Sequence, residues 1–241
     1  MALDVGHGYG PFQGETENTK TDRQGEFVIV KKKGYLFDCF DFCINEGHKY
    51  CILGKNASGK SSLLRLLAKR EEPLEGSIHH ALNVQIGYFG QETMDQLLQD
   101  ASSDPGVAVT AVSYLAKRFP SKTEKDLRGS LTDFGLSPEQ AATNIRFLSG
   151  GERCRLCLAS LMLDHPHVLC LDNPTTNLDV ESVEALIHGL QQWKDGTVVM
   201  VSHDSNLIRE LEAECVVLME EEGKLRRIDG TIDDYLRAFK Y

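Results

Sequence analysis

Apolar and polar positions along this chain follow one rhythm before residue 90 and another after residue 150. YLFDCFDFCI (35–44) alternates apolar and polar residues at several positions, and KYCIL (49–53) is short and apolar. A two-residue period sends alternate side chains to opposite faces, so both segments predict strands, divided by a turn at Asn45, Glu46 and Gly47. Together they are expected to form an antiparallel meander at a sheet edge. SSLLRLLAKR (61–70) has helical spacing, whereas SIHH (77–80) and NVQIGYF (83–89) read again as strands, the second leading to Gln91. Pro105, Pro120 and Pro138 then divide residues 92–147 into short helical pieces, because proline lacks the N–H that a continuing helix needs. This span predicts an inserted helical subdomain at about 92–150.

Beyond residue 150 a helix is followed by strand VLCLD (168–172), helix VESVEALIHGLQQW (180–193), strand TVVMVS (197–202), helix SNLIRELE (205–212) and strand CVVLME (215–220). Apolar strands alternating with amphipathic helices imply a parallel sheet covered on both faces. The expected class is α/β: a mainly parallel core sheet with an antiparallel β edge and the inserted helical subdomain, forming a single domain over residues 1–241. Residues 10–25, GPFQGETENTKTDRQG, are linker-like in composition.

Composition narrows the partners more than the fold. With 41% hydrophobic and 26% charged residues, the 241-residue chain suits one large globular unit. A formal net charge of −10 opposes general coating of DNA or RNA. Positive charge gathers only at Lys31-Lys32-Lys33, with Lys20 and Arg23, which marks this stretch for an acidic partner or RNA. No apolar run reaches bilayer-spanning length and MALDVGHGYG lacks signal-peptide regions, so a cytoplasmic protein without a membrane partner is expected. Of the seven cysteines, Cys39, Cys43, Cys51, Cys170 and Cys215 fall in apolar periodic stretches, as reduced core thiols do. Cys154 and Cys157 have metal-like spacing, but no second pair matches them, and one turn of an amphipathic helix accounts for the interval.

Chemistry concentrates in GKNASGKS (54–61), between a predicted strand and a predicted helix. Glycine, four residues, then Gly-Lys-Ser is a phosphate-binding loop: Gly54, Lys55, Asn56, Ala57, Ser58 and Gly59 turn backbone N–H groups inward, and the helix N-terminus adds its positive dipole end. Lys60 is placed to reach the β and γ phosphates, Ser61 to bind Mg²⁺, and Ser62 to donate to a phosphate oxygen. Ala57 stands where glycine is usual, which keeps the turn so long as φ there is negative. VLCLD delivers Asp172 to the carboxyl end of a buried strand, where open α/β sheets bind ligands and an aspartate can hold Mg²⁺.

LSGGERCR (148–155), set after the helical insertion and before VLCLD, resembles the signature motif of ATP-binding-cassette proteins. The order of phosphate loop, Gln91, signature, Asp172 and VSHD (201–204) extends the resemblance over nearly the whole chain. It implies that ATP is the nucleotide. It further implies that Ser149, Gly150, Gly151 and Glu152 meet the γ phosphate of a nucleotide held by another cassette, as a homodimer or a tandem partner. Gln91 then corresponds to the glutamine that senses Mg²⁺ and couples the subdomains, Leu178 and Asp179 to the loop that communicates across the dimer, and His203 to the switch histidine. Tyr9 is similar to the tyrosine that stacks on adenine, with residues 11–33 as an insertion behind it; Tyr35 and Phe27 are nearer alternatives.

Within the family, Glu152 at the end of the signature and the polar pair Thr176-Asn177 before Leu178 resemble the F subfamily, soluble two-cassette proteins that act on ribosomes. The tail RIDGTIDDYLRAFKY (227–241) is similar to the segment closing their second cassette. No second phosphate loop or charged linker is present, so the expectation is a lone cassette or the C-terminal half of something longer. A transporter's cassette is disfavoured by the same residues. Asn173 departs from the pattern: the family places glutamate there, as general base for the attacking water. Two readings follow, an ATPase slowed by Asn173 or a non-hydrolysing module that ATP closes.

Overall fold

The computed structural model describes residues 2–8, 20–21, 27–28, 35–37, 41–73, 75–102, 108–176, 178–193, 196–219, 224–227 and 232–238. Tyr9, Lys31 to Lys33 and Asn177 lie outside them.

A six-stranded sheet forms the centre. It is built from β6 (Lys49–Leu53), β8 (Ile86–Phe89), β9 (Val168–Asp172), β10 (Thr197–Val201), β11 (Glu214–Met219) and β12 (Lys224–Arg227), in the order β12-β11-β6-β10-β9-β8. All neighbours run parallel except β11 and β12. Each inner strand is apolar except at one end because both of its faces are covered. On one face Tyr50, Ile52, Val168, Cys170, Val199, Val201, Val216 and Leu218 meet Leu63, Leu64, Leu66 and Leu67 of α1 (Lys60–Leu67). On the other, Cys51, Leu53, Leu169, Leu171, Val198, Met200, Cys215 and Val217 meet α6 (Gly150–Leu163), α7 (Val180–Gln192) and α8 (Ser205–Glu210). The period of two is thus intact within strands that look uniformly apolar.

A second, antiparallel sheet centres on β1 (Ala2–Gly8). It pairs with β7 (Glu75–His79) from Ala2↔His79 to Gly6↔Glu75, with β5 (Asp41–Cys43) at residues 2–4, and with β4 (Tyr35–Phe37) at His7 and Gly8. A short pair, β2 (Lys20–Thr21) with β3 (Phe27–Val28), stands in its own sheet. The expected meander is therefore corrected: KYCIL does not join 35–44 at an edge but lies inside the parallel sheet, between β11 and β10. The single strand expected over 35–44 is described as two, β4 and β5. NVQIGYF also starts late, at Ile86, because Asn83 takes φ 60° in a turn.

Between β8 and α6 the described residues form helices: α2 (Gln91–Asp100), α3 (Ala111–Arg118), α4 (Glu124–Asp133), α5 (Pro138–Ala142) and a 3-10 turn at Ile145–Phe147. Thr110, Thr123 and Ser137 cap α3, α4 and α5, each side chain accepting from the N–H three residues on. Such caps satisfy donors that a helix start otherwise leaves unpaired. Pro138 occupies the first helical position of α5, where its missing N–H removes no bond. The tail folds as α9 (Ile232–Ala238), tied to α8 by Arg209 and Asp233.

Candidate functional site

The phosphate loop leaves β6 and enters α1 through backbone that few residues tolerate. Gly54 has φ 148°, and a Cβ there would stand 2.9 Å from the Leu218 carbonyl oxygen; Gly59 has φ 98°. Ala57 has φ 62°, so the expectation of negative φ is wrong, and this alanine sits in the left-handed region. Gly59 is also the N-cap of α1 and supplies no side-chain hydrogen bond. The first N–H groups of α1 thus point into the site without a capping side chain, which is the condition for anion binding.

Polar side chains here are held rather than free, with Ser58 as the exception. Lys60, 7% exposed, donates from Nζ to the carbonyls of Gly54 (3.1 Å) and Lys55 (2.6 Å), and its burial lowers its pKa while Asp172 opposes the shift. Ser58 is 3% exposed and its Oγ has no hydrogen-bond partner. Ser61 Oγ donates to Asp172 Oδ1 at 3.1 Å, joining the loop to the end of β9. Asn173 Nδ2 donates to that same oxygen, also at 3.1 Å, and the Asn173 N–H donates to Val201 O at 2.9 Å. Its φ of 47° lies in the left-handed region, which asparagine enters more readily than most residues.

Two neighbouring cavities meet at Ser61 and Asn173. One, of about 460 Å³, is bordered by Ala57, Lys60, Ser61, Ser62, Asn173 and His203; no carboxylate is among its described lining residues. Burial, and then the charge of Lys60, lower the pKa of His203. The second, of about 420 Å³, is bordered by Gln91, Asp95, Gly150, Arg153, Asp172 and Asn173 among others. Gln91, the first residue of α2, donates from Nε2 to Asp95 Oδ1 at 3.3 Å. The orphaned Ser58 hydroxyl, the uncapped helix and the buried lysine fit a polyphosphate. The oxygens of Ser61 and Asp172, with Gln91 nearby, are of the hard type that suits Mg²⁺.

The signature segment is built differently. Ser149 caps α6: its Oγ accepts from the Glu152 N–H (3.2 Å), and Glu152 Oε2 accepts from the Ser149 N–H (2.6 Å). Glu152 Oε1 takes a further donor, Gln140 Nε2, at 2.6 Å. Ser149 is exposed, and a Cβ on Gly150 would meet nothing within 4 Å. A Cβ on Gly151 would lie 3.7 Å from Leu178 and 3.9 Å from Asp179 Oδ2, so the signature and the Leu178-Asp179 loop adjoin. Asp179 caps α7 by accepting from the Ser182 N–H at 2.7 Å. Phe147 and Val180, in the two adjoining segments, are 82% and 75% exposed.

Gln140 escapes the motif reading, although Ser137-Pro138-Glu139-Gln140 has the spacing of a capped helix start. Cys154 and Cys157 lie one turn apart on α6 with their thiols on the carbonyls of Pro174 and Thr93, and burial pushes both pKa values up to about 12. Tyr35 and Phe27 fall on β4 and β3. No helix among the described residues is long and apolar enough to cross a membrane.

Comparison with known proteins bears on the same segments. The family model described as ABC transporter matches residues 37–176. ATP-binding cassette sub-family F member 3 of Rattus norvegicus is 37% identical over 187 residues, which are 78% of this chain and 25% of that protein. Protein GCN20 of Saccharomyces cerevisiae is 33% identical over 78% of this chain and 23% of its own length. The probable ATP-binding protein YheS of Escherichia coli K12 is 32% identical over 83% of this chain and 30% of its own length. The chain therefore spans under a third of these relatives. Among solved structures, a dimer of the ATP-binding cassette MJ0796 in a post-hydrolysis state with ADP and Pi superposes with a TM-score of 0.66, covering 95% of this chain and 98% of that one. At 21% identity the likeness concerns fold alone.

Proposed function

The chain belongs to the ATP-binding-cassette family, whose F-subfamily members are among its relatives, and on that premise we propose that it holds Mg-ATP in a closed pair of cassettes and hydrolyses it slowly. By family it is an ATPase. The observation carrying the reading is the joining of phosphate loop, Asp172, Asn173 and His203 around one continuous site. Lys60 and the α1 N-terminus would bind the β and γ phosphates, and Ser61 and Asp172 would hold Mg²⁺, which when bound would supply charge neutralisation on the phosphoryl group. Phe147 and Val180 give the adjoining signature and Leu178-Asp179 segments an apolar border, suited to burial against a second cassette. That partner is another copy or a tandem cassette.

Slow turnover rests on Asn173. Its amide is not basic near neutral pH and donates to Asp172. Losing a positioned general base commonly costs ~10² to 10⁴ in rate, whereas the groups that bind phosphate remain. Asn173→Glu should accelerate single-turnover hydrolysis at least about tenfold in matched dimers, with ATP binding followed alongside. Equal rates in the two forms would show that Asn173 does not limit the chemistry. Ribosome association is proposed from the F-subfamily resemblance, with Lys31 to Lys33 as its contact; replacing the three by alanine should weaken cosedimentation and flatten its salt dependence.

A further inference from the structure

Gln140 lies nine residues before Ser149 and belongs to none of the motifs, yet it joins two helix starts. Its Oε1 accepts from the Ser137 N–H at 2.8 Å, within the cap of α5. Its Nε2 donates to Glu152 Oε1 at 2.6 Å. The other oxygen of Glu152 accepts from the Ser149 N–H at 2.6 Å, and the Glu152 N–H donates back to Ser149 Oγ at 3.2 Å. The amide can point only one way, since rotating it by half a turn would face its NH₂ with an N–H and its oxygen with a carboxylate. A chain of hydrogen bonds therefore runs from the α5 cap, through Gln140 and Glu152, to the backbone of Ser149, and the two accepted by the Glu152 carboxylate are charge-assisted. Ala141, 2% exposed, anchors α5 in the core of the helical subdomain.

We infer that Gln140 is a positioning residue for the signature: by clamping Glu152 Oε1 it fixes Oε2 on the Ser149 N–H, and so sets where the Ser149 hydroxyl and the free N–H groups of α6 face an incoming nucleotide. The inference rests on the proposed role of the signature toward a second cassette's ATP. Its consequence is that the short helix α5, and with it the helical subdomain, governs the acceptor side of the site. A glutamine at 140 and a glutamate at 152 are a matched pair, donor to acceptor.

The test uses that complementarity. Gln140→Glu sets two carboxylates against each other and should raise the Mg-ATP concentration needed for half-maximal association about tenfold, read by sedimentation. ATP binding to the chain's own phosphate loop, read with a fluorescent ATP analogue, should not change, and neither should the secondary-structure signal. Adding Glu152→Gln to Gln140→Glu restores an amide–carboxylate pair in reverse and should recover most of the association, although Glu152→Gln alone leaves two amides. Ser149→Ala is the benchmark. Weakened association without rescue by the double variant, or no weakening by Gln140→Glu where Ser149→Ala abolishes pairing, overturns the role of Gln140 and leaves the signature reading standing. Pairing that is absent in the parent, or unchanged by Ser149→Ala, removes the signature reading and this inference with it.

Discussion

Two helix N-termini face the proposed nucleotide chemistry, and they are prepared in opposite ways. At α1 the N-cap is Gly59 in a left-handed conformation with no capping side chain, and Ser58, Lys60 and Ser62 beside it are buried. At α6 the N-cap is Ser149, closed by reciprocal bonds with Glu152 and exposed to solvent. An uncapped, buried helix start is incomplete until an anion satisfies it, so its ligand is bound tightly and within one chain. A capped, exposed start has one of its donors satisfied already and can wait in the correct shape for a phosphate brought by another molecule. The same helix dipole thus serves a permanent site in one place and a conditional one in the other.

The largest effect expected from breaking this contrast comes at α1. Lys60→Ala removes the one buried ammonium among the described residues and should weaken ATP binding by about a hundredfold, on the scale of lost charge-assisted hydrogen bonds. Titration with a fluorescent ATP analogue measures it. Glu152→Ala should leave the same titration unchanged, because Glu152 borders neither cavity of the chain's own site. A comparable loss in both variants would mean that one chain's nucleotide uses both helices.

A smaller effect is expected from Gly150→Ala. This glycine is the first residue of α6, has no positive φ, and faces open space, so neither backbone nor packing asks for glycine there. Alanine should raise stability by about 0.5–1 kcal/mol, as replacing glycine within a helix does. If the open space above Gly150 admits a phosphate, the added methyl should nevertheless raise the Mg-ATP needed for pairing several-fold, about threefold or more. Denaturant unfolding and sedimentation in parallel separate the two. Improved stability with unimpaired pairing would remove Gly150 from the contact.

The contrast was partly legible in the chain. GKNASGKS and LSGGERCR identify themselves because close approach to phosphate demands glycines at fixed intervals, and Asp172 follows from an apolar run ending in an acid. What spacing does not encode is which neighbour a strand finds: KYCIL is short and apolar whether at an edge or in the middle, and only β10 and β11, drawn from residues 197–219, place it centrally. MALDVGHG gave no strand signal, yet β1 is the spine of the antiparallel sheet. Gln140 was hidden for a related reason, since its partner Glu152 lies twelve residues away on another helix. Local sign conventions failed once, at Ala57.

That failure supplies the smallest and most specific prediction. An L-residue in the left-handed region costs about 1–2 kcal/mol relative to the right-handed one, whereas glycine avoids the clash but loses about 0.5–1 kcal/mol more backbone entropy on folding. At φ 62° the first term exceeds the second, so Ala57→Gly should stabilise the chain by about 0.5–1 kcal/mol, a rise in Tm of about 1–3 °C for a chain of this size. The gain concerns the folded loop whether or not nucleotide is bound, so ATP affinity should move by less than about twofold. Gly150→Ala changes residue type in the reverse sense, and both substitutions are expected to stabilise, because the two helix starts hold opposite backbone conformations at these residues. Thermal unfolding of the pair with and without Mg-ATP decides it. If Ala57→Gly lowers Tm, alanine is at ease in that turn, and the phosphate loop is less strained than its φ implies.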